Sequence, residues 1–165
     1  MDVIKAIRTK KAVRQFSNQE VSREDILTIL NSGRSAQSSK NTQPWQFVVV
    51  QDKAKLKALS GTGDYAQHLA GATFAVVFVS NESTSWINFD LGQASAYMQI
   101  AAWSLGIGSC IAAIYRPDDA RKILDIPGDM QCMAAISFGY PAADFKPLKL
   151  GGRKPLDNLV HWDQW

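Results

Sequence analysis

Basic residues from two distant parts of the chain are the first candidates for chemistry. Lys10, Lys11 and Arg14 lie close together near one end of the sequence. A second basic group lies near the other end, at Lys149, Arg153 and Lys154. Cations from both ends could converge on one phosphate, where charge-assisted hydrogen bonds are strong, and an arginine can bind two phosphate oxygens at once. The alternative interpretation of the first cluster is a solvated surface.

A polar segment, residues 35–44, precedes a stretch that is rich in valine and aromatic residues. Several of its side chains could donate and accept hydrogen bonds toward a planar heterocycle, namely Ser38, Ser39, Asn41 and Gln43. The same residue types also form ordinary turns. Spacing alone leaves both interpretations open.

Other kinds of catalytic site find little support in the sequence. The chain has no Gly-x-Ser-x-Gly segment, and neither of its two histidines lies in a recognisable nucleophile motif. Its two cysteines, Cys110 and Cys132, are far apart and have no zinc-like spacing to either histidine. Gly106 and Gly108 lack the third glycine of a dinucleotide fingerprint, and they predict a helix end and a turn. We therefore expect no metal site and no nucleophilic triad.

Composition predicts one globular domain over residues 1–165, because 46% of the residues are hydrophobic and 20% are charged. The net charge of +3 is small and the basic residues are spread along the chain. A nucleic-acid-binding module rests only on the cluster from Arg8 to Arg14, so we do not expect one. The sequence has no secretory leader pattern and no apolar run of roughly 20 residues, so a cytoplasmic protein without a membrane span is expected.

The elements that must position these residues follow from hydrophobic periodicity. The pattern predicts helices at residues 2–9, 22–33, 52–59, 84–105 and 117–124. It predicts strands at residues 45–50, 73–80, 106–114 and 133–139, the third of them after a turn. The run at 73–80 is apolar throughout, which is typical of a strand covered on both faces. Helices and strands do not alternate strictly, so the order favours an α+β fold around a central sheet.

Four segments in order along the chain resemble the nitroreductase family. Residues 10–16, Lys-Lys-Ala-Val-Arg-Gln-Phe, are similar to its Arg-Arg-Ser-Val-Arg-x-Phe segment. Residues 36–45, Ala-Gln-Ser-Ser-Lys-Asn-Thr-Gln-Pro-Trp, are similar to Ala-Pro-Ser-x-x-Asn-x-Gln-Pro-Trp. Residues 105–114, Leu-Gly-Ile-Gly-Ser-Cys-Ile-Ala-Ala-Ile, are similar to Leu-Gly-x-Gly-Ser-Cys-Trp-x-Gly-Gly, and residues 153–156 match the closing Arg-Lys-Pro-Leu. The ordered set is far more specific than any one segment.

The resemblance implies a nitroreductase-like α+β fold whose central, mostly antiparallel sheet is flanked by helices. It implies a homodimer that holds FMN at the subunit interface, with a C-terminal tail extending over the partner. Lys10 and Arg153 would bind the FMN phosphate with Lys11 and Ala12 nearby, although Ala12 replaces a serine hydroxyl that usually contacts the cofactor. Arg14 would lie at the pyrimidine edge of the flavin.

Further contacts follow from the same resemblance. Ser38, Ser39 and Asn41 would reach the flavin from the partner subunit, and Gln43 belongs to the same polar segment. Backbone N–H groups near Ala113 and Ile114 would lie by flavin N5. These two residues replace glycines, and Ile114 could narrow the space for a substrate.

The resemblance also implies a reaction. Hydride would pass from NADH or NADPH to flavin N5 and then to a nitroaromatic, a quinone or a similar acceptor. A fixed cation at the pyrimidine edge would favour the reduced flavin, and no catalytic side chain is required because the flavin carries the chemistry. The replacements at Ala12, Ala113 and Ile114 motivate an alternative, a flavin sensor or storage protein with little turnover.

Overall fold

The computed structural model describes residues 1–148 and 152–165. Its centre is a sheet of four strands, β1 (Gln46–Val50), β2 (Phe74–Ser80), β3 (Gly108–Ala113) and β4 (Gln131–Gly139). The strands lie in the order β1-β2-β4-β3, and each neighbouring pair is antiparallel. This sheet confirms the predicted α+β class, and it leaves one side of β3 at the edge.

The helices lie close to their predicted positions. They are α1 (Val3–Thr9), α2 (Arg23–Arg34), α3 (Lys53–Leu59), α4 (Ser85–Ser104) and α5 (Pro117–Leu124). Local capping accounts for several of their starts. The Ser22 hydroxyl accepts a hydrogen bond from the Asp25 N–H at 3.0 Å, and the Thr84 hydroxyl accepts one from the Ile87 N–H at 3.2 Å.

The β2 strand is buried along its whole length, which confirms the prediction that it is covered on both faces. Its alternating side chains enter two different apolar clusters. Phe74, Val76 and Phe78 pack in the cluster that contains residues of α2 and α4. The intervening residues, such as Ala75 and Val77, pack in the cluster that contains residues of α3 and α5. The sheet is therefore a central layer between two layers of helix.

The close contact between α2 and α4 depends on a glycine. Sequence analysis places the end of α2 at Gly33, but the helix continues to Arg34 and Gly33 is buried against α4. A Cβ atom on Gly33 would overlap the Met98 side chain, so the absence of a side chain there allows the approach.

The segment from residue 152 to residue 165 is exposed throughout. Its only regular element is a short 3-10 turn at Leu156–Asn158. Four of its large apolar side chains are in solvent, namely Leu156, Leu159, Trp162 and Trp165. None of the helices in the described ranges combines the length and the apolar character that a membrane span requires.

Candidate functional site

Basic residues from both ends of the chain line one cavity, which we call the cationic cavity. Its volume is about 550 Å³, and it is lined by Ile7, Arg8, Lys10, Lys11, Ala12, Arg14, Pro147, Leu148, Gly152 and Arg153. Five of these side chains are cationic, and none of the lining residues among the described ones is acidic. Lys149, the remaining member of the C-terminal basic group, lies outside the described residues. The cavity therefore has the charge expected of an anion site.

The edge of the sheet positions the N-terminal half of this cavity. The α1 helix ends as the Lys10 N–H donates to the Ala6 carbonyl at 2.9 Å. The chain then runs parallel to β3, where Ala12 pairs with Ser109 and the Val13 N–H donates to the Ser109 carbonyl at 2.9 Å. Val13 is buried in the core. Because neighbours alternate in an extended segment, Ala12 and Arg14 point to the opposite, cavity side.

Lys10 is held by a residue of α4. Its ammonium group donates to the Gln99 Oε1 atom at 2.5 Å, and the Gln99 amide donates to the Ser95 hydroxyl at 3.2 Å. Burial is the main cause that lowers the pKa of Lys10, and the nearby charge of Arg14 acts in the same direction. A partly buried cation with a cationic neighbour would gain from an anion in the cavity.

A second cavity of about 510 Å³ adjoins the first, and we call it the histidine cavity. It is lined by Arg14, Tyr65, Gln67, His68, Ile111 and Leu148. Arg14 and Leu148 line both cavities. The two cavities therefore form one continuous surface with Arg14 at the boundary.

His68 is buried at the wall of the histidine cavity. Its Nδ1 atom lies 2.8 Å from the Ser137 hydroxyl, which donates to the Cys110 carbonyl at 3.2 Å. Its Nε2 atom has no hydrogen-bond partner among the described residues. Burial, followed by the charge of Arg14, lowers the pKa of His68 to about 4. The ring is therefore neutral near pH 7, and among the described residues that line the histidine cavity only Arg14 is charged.

Within the polar segment, residues 38–43 have a defined local conformation, and we call them the polar loop. Its central residues form a 3-10 turn at Ser39–Asn41, and the Gln43 N–H donates to the Ser38 hydroxyl at 2.9 Å. Lys40, Asn41 and Gln43 adopt φ angles of 51°, 56° and 48°, in the left-handed region that non-glycine residues rarely use. Both interpretations offered for this segment remain open, since it is a turn that also exposes polar side chains.

A buried carboxylate anchors the polar loop to α4. Asp90 is 3% exposed, and its Oδ2 atom accepts a hydrogen bond from the Ser39 N–H at 2.9 Å. Ser38, Ser39 and Asn41 line neither the cationic cavity nor the histidine cavity. Gln43 lines a separate cavity of about 420 Å³ together with Trp45 and Phe47. Within one chain, the polar loop thus lies apart from the cationic residues, although the resemblance assigned both to one flavin.

The two expected backbone donors, Ala113 at the end of β3 and Ile114 just after it, differ in their hydrogen bonding. The Ile114 N–H donates to the Met133 carbonyl at 3.0 Å, so this N–H is already occupied. Its side chain is 8% exposed, packs in the core and lines neither cavity, so it does not narrow them. Since antiparallel pairs alternate, the neighbouring Ala113 N–H points away from β4. The Ala113 N–H is therefore not used in pairing with β4, although Ala113, like Ile114, is not among the residues that line the two cavities.

Sequence analysis missed three buried polar residues: His68, which lines the histidine cavity, Gln99, which binds Lys10, and Asp90, which anchors the polar loop. The signal for two of them is present in the sequence. Asp90 and Gln99 lie on α4 beside Leu91 and Met98, so they are polar residues next to its apolar face. A buried polar side chain must be hydrogen-bonded, and these two bond the polar loop and Lys10, respectively. His68 has no comparable signal, because the β4 residue that it contacts is 69 positions away in the chain.

Among the described residues, no group of three or more His, Cys, Asp or Glu side chains could hold a metal ion. Cations line the cationic cavity, and Arg14 with polar side chains lines the histidine cavity. They suit an anionic group joined to a polar ring.

Comparison of the sequence with known proteins indicates the family of this chain. The sequence profile of the nitroreductase family matches residues 7–62 and 62–140. A protein of Archaeoglobus fulgidus, named as a candidate NADH dehydrogenase/NAD(P)H nitroreductase, is 30% identical over 99% of both chains. This relative thus matches the chain along nearly its whole length.

Solved structures give the same assignment. A candidate NADH dehydrogenase/NAD(P)H nitroreductase of Bacteroides thetaiotaomicron superimposes with a TM-score of 0.86 at 31% identity, covering 99% of this chain and 98% of that one. An FMN-dependent nitroreductase of Clostridium difficile superimposes with a TM-score of 0.85 at 28% identity, covering 98% and 99%. Sequence, fold and relatives agree, and the chain belongs to the nitroreductase family.

Proposed function

We propose that this protein is an FMN-dependent oxidoreductase that uses NADH or NADPH to reduce an electron-poor acceptor such as a nitroaromatic or a quinone. The observation that carries the proposal is the convergence of Lys10, Lys11 and Arg153 on one cavity without a carboxylate. The fold shared with an FMN-dependent nitroreductase supports the choice of cofactor.

The cationic cavity fits the phosphate of FMN. A phosphate monoester carries close to two negative charges near pH 7. Arg153 would bind two of its oxygens, while Lys10 and Lys11 would act as point charges. Because none of these side chains has a salt-bridge partner among the described residues, their charge is available to the phosphate.

The boundary between the two cavities fits the pyrimidine edge of a flavin. A ligand whose phosphate lies in the cationic cavity would pass Arg14 on its way into the histidine cavity. The Arg14 guanidinium would stabilise negative charge on that edge, and the Ala113 N–H would donate to the ring. FMN, when bound, supplies the hydride chemistry between the nicotinamide and the acceptor. The protein contributes orientation and electrostatics.

We further propose that the site is completed by a second copy of the chain in a homodimer. The single chain exposes 10413 Å², whereas a compact monomer of its 18.2 kDa would expose roughly 8,100 Å². Large apolar side chains are exposed on α1, α4 and the C-terminal segment, including Ile4, Ile7, Trp86, Phe89, Trp162 and Trp165. Such surfaces mark protein interfaces. In the dimer, the polar loop of one copy would reach the cationic cavity of the other, and the C-terminal tail beyond Arg153 would extend over the partner.

An absorption spectrum tests the proposal. The purified protein, or the protein after incubation with FMN, should show flavin bands that bleach when NADH or NADPH is added without oxygen. A quinone or a nitroaromatic should then restore them. Protein that remains colourless and takes up no FMN would contradict the proposal. Bound FMN that no reduced nicotinamide bleaches would instead favour the flavin sensor or storage protein suggested by Ala12.

A further inference from the structure

The contact between Lys10 and α4 is built from buried polar groups. Gln99 is 5% exposed and Ser95 is 9% exposed, so both lie inside the protein rather than at its surface. The Gln99 amide uses its oxygen for the Lys10 ammonium at 2.5 Å and its nitrogen for the Ser95 hydroxyl at 3.2 Å. The two contacts fix which end of the amide faces Lys10.

Because the Gln99 amide is neutral, it binds the Lys10 ammonium without cancelling its positive charge. An ammonium group has three N–H donors, and one of them is bound to Gln99 while the group also lines the cationic cavity. The remaining two donors are available to an anion there. A carboxylate at position 99 would neutralise Lys10. An apolar side chain there would leave the flexible side chain of Lys10 without a hydrogen bond to fix its direction.

We propose that Gln99 is a positioning residue that directs the Lys10 ammonium at the phosphate of the flavin. In this way α4 sets the preference of the protein for FMN over riboflavin, the same ring system without the phosphate. The inference rests on the proposed function, because it assumes that the cationic cavity receives a flavin phosphate. Gln99 acts only through Lys10 and lines neither cavity itself.

The test compares the affinities of the two flavins for the dimeric apoprotein, measured by quenching of flavin fluorescence. Gln99→Met keeps the length of the side chain and removes its polar atoms. We expect it to weaken FMN binding about tenfold, since a hydrogen bond to a charged group is lost. Riboflavin binding should not change. Gln93→Met, the same substitution at a residue of α4 that does not line the cavity, is the matched control and should leave both affinities unchanged.

Two more variants show whether the effect passes through Lys10. Gln99→Glu should weaken FMN binding more than Gln99→Met does, because the new carboxylate neutralises Lys10 and repels the phosphate. In a Lys10→Met background, Gln99→Met should cause no further loss of FMN affinity beyond about twofold. If Gln99→Met does not fold, Ser95→Ala tests the same contact and should lower FMN affinity in the same direction, again without an effect on riboflavin.

The inference and the proposed function fail in different ways. If FMN and riboflavin lose affinity together in Gln99→Met, or if neither does, Gln99 does not position Lys10 for the phosphate. Additive losses from Lys10→Met and Gln99→Met would also overturn the inference. If the unmodified protein binds neither flavin, the proposed function itself is wrong.

Discussion

The cationic cavity and the polar loop were expected to bind one ligand, but within one chain they lie apart. The cations from both ends of the chain meet within a single copy. The polar loop is anchored by Asp90 on α4 and lines neither the cationic cavity nor the histidine cavity. One chain thus carries a cavity lined by cations and, apart from it, a separate set of polar groups. In the proposed homodimer, a second copy would bring the two regions together.

The two regions also differ in how they are stabilised. The polar loop satisfies much of its own hydrogen bonding, through Ser38, Gln43 and Asp90, and it holds residues at positive φ. It is therefore shaped before any ligand arrives. The cationic cavity gathers like charges that repel one another, which costs stability until an anion binds. We therefore expect the polar loop to contribute a fixed conformation, and the cationic cavity to contribute most of the free energy of binding an anion.

The largest expected effect concerns the charge of His68, which borders the cationic side. Its pKa is lowered to about 4, so the unfolded chain takes up a proton at this residue as the pH falls below about 6.5 while the folded protein does not. The part of the free energy of unfolding that depends on a neutral His68 is therefore fully present above pH 6.5 and is lost as the pH falls toward 4. We expect the free energy of unfolding to fall by up to roughly 3 kcal/mol from this group.

Urea unfolding at several pH values measures this loss. His68→Phe should reduce the dependence on pH between 6.5 and 4, whereas His161→Phe, at the exposed histidine, should keep it. Equal slopes for the His68→Phe variant and the unmodified protein would show that His68 carries no such cost.

Arg153→Ala tests the C-terminal contribution to the cationic cavity. We expect FMN binding to weaken by about 2–3 kcal/mol, because a charged hydrogen-bonding partner of the phosphate is lost. Titration of the apoprotein with FMN measures the change. The matched control is Lys154→Ala, which removes the neighbouring cation that does not line the cavity. Similar losses in the two variants would mean that only the overall charge of the tail matters.

Asp90→Ala breaks the anchor of the polar loop. The Ser39 N–H then loses its buried acceptor, so we expect the free energy of unfolding to fall by about 2 kcal/mol. FMN affinity should fall as well, through the loop of the partner copy. Asp90→Asn keeps an oxygen acceptor and should cost less. Unfolding in urea and titration with FMN measure both effects, and an Asp90→Ala variant with unchanged FMN affinity would separate the loop from the site.

Lys40→Gly tests the conformation of the polar loop and has the smallest expected effect. Lys40 has a φ angle of 51°, which glycine adopts without a steric cost. We expect a gain of about 0.5–1 kcal/mol in the free energy of unfolding, after allowing for the greater freedom of glycine in the unfolded chain. Thermal unfolding measures the gain. A loss of stability would indicate that the Lys40 side chain contributes more than its backbone costs.

Much of the fold follows from local pattern. The apolar run of β2, the cap at Ser22 and the proline at the start of α5 each specify an element without knowledge of the rest. The end of α2 was misplaced because Gly33 is required by packing against Met98 and not by a helix end. Tertiary contact outweighed a local signal at that position.

The candidate site was predictable only in part. Its cations could be named because charge and a resemblance both indicate Lys10, Arg14 and Arg153. The partners of the buried polar residues could not be named, because Gln99 contacts Lys10 over 89 positions of sequence and His68 contacts Ser137 over 69 positions. Hydrogen bonds at such separation leave no periodic pattern.

Exchange of subunits between two defective variants tests the central claim, that one copy supplies the cations and its partner supplies the polar loop. Arg153→Ala and the triple variant Ser38→Ala/Ser39→Ala/Asn41→Ala should each bind FMN weakly alone. When they are unfolded and refolded together in equal amounts, each mixed dimer should contain one intact site. High-affinity binding should therefore return at about a quarter of all sites. A mixture that binds FMN no better than the separate variants would contradict the account.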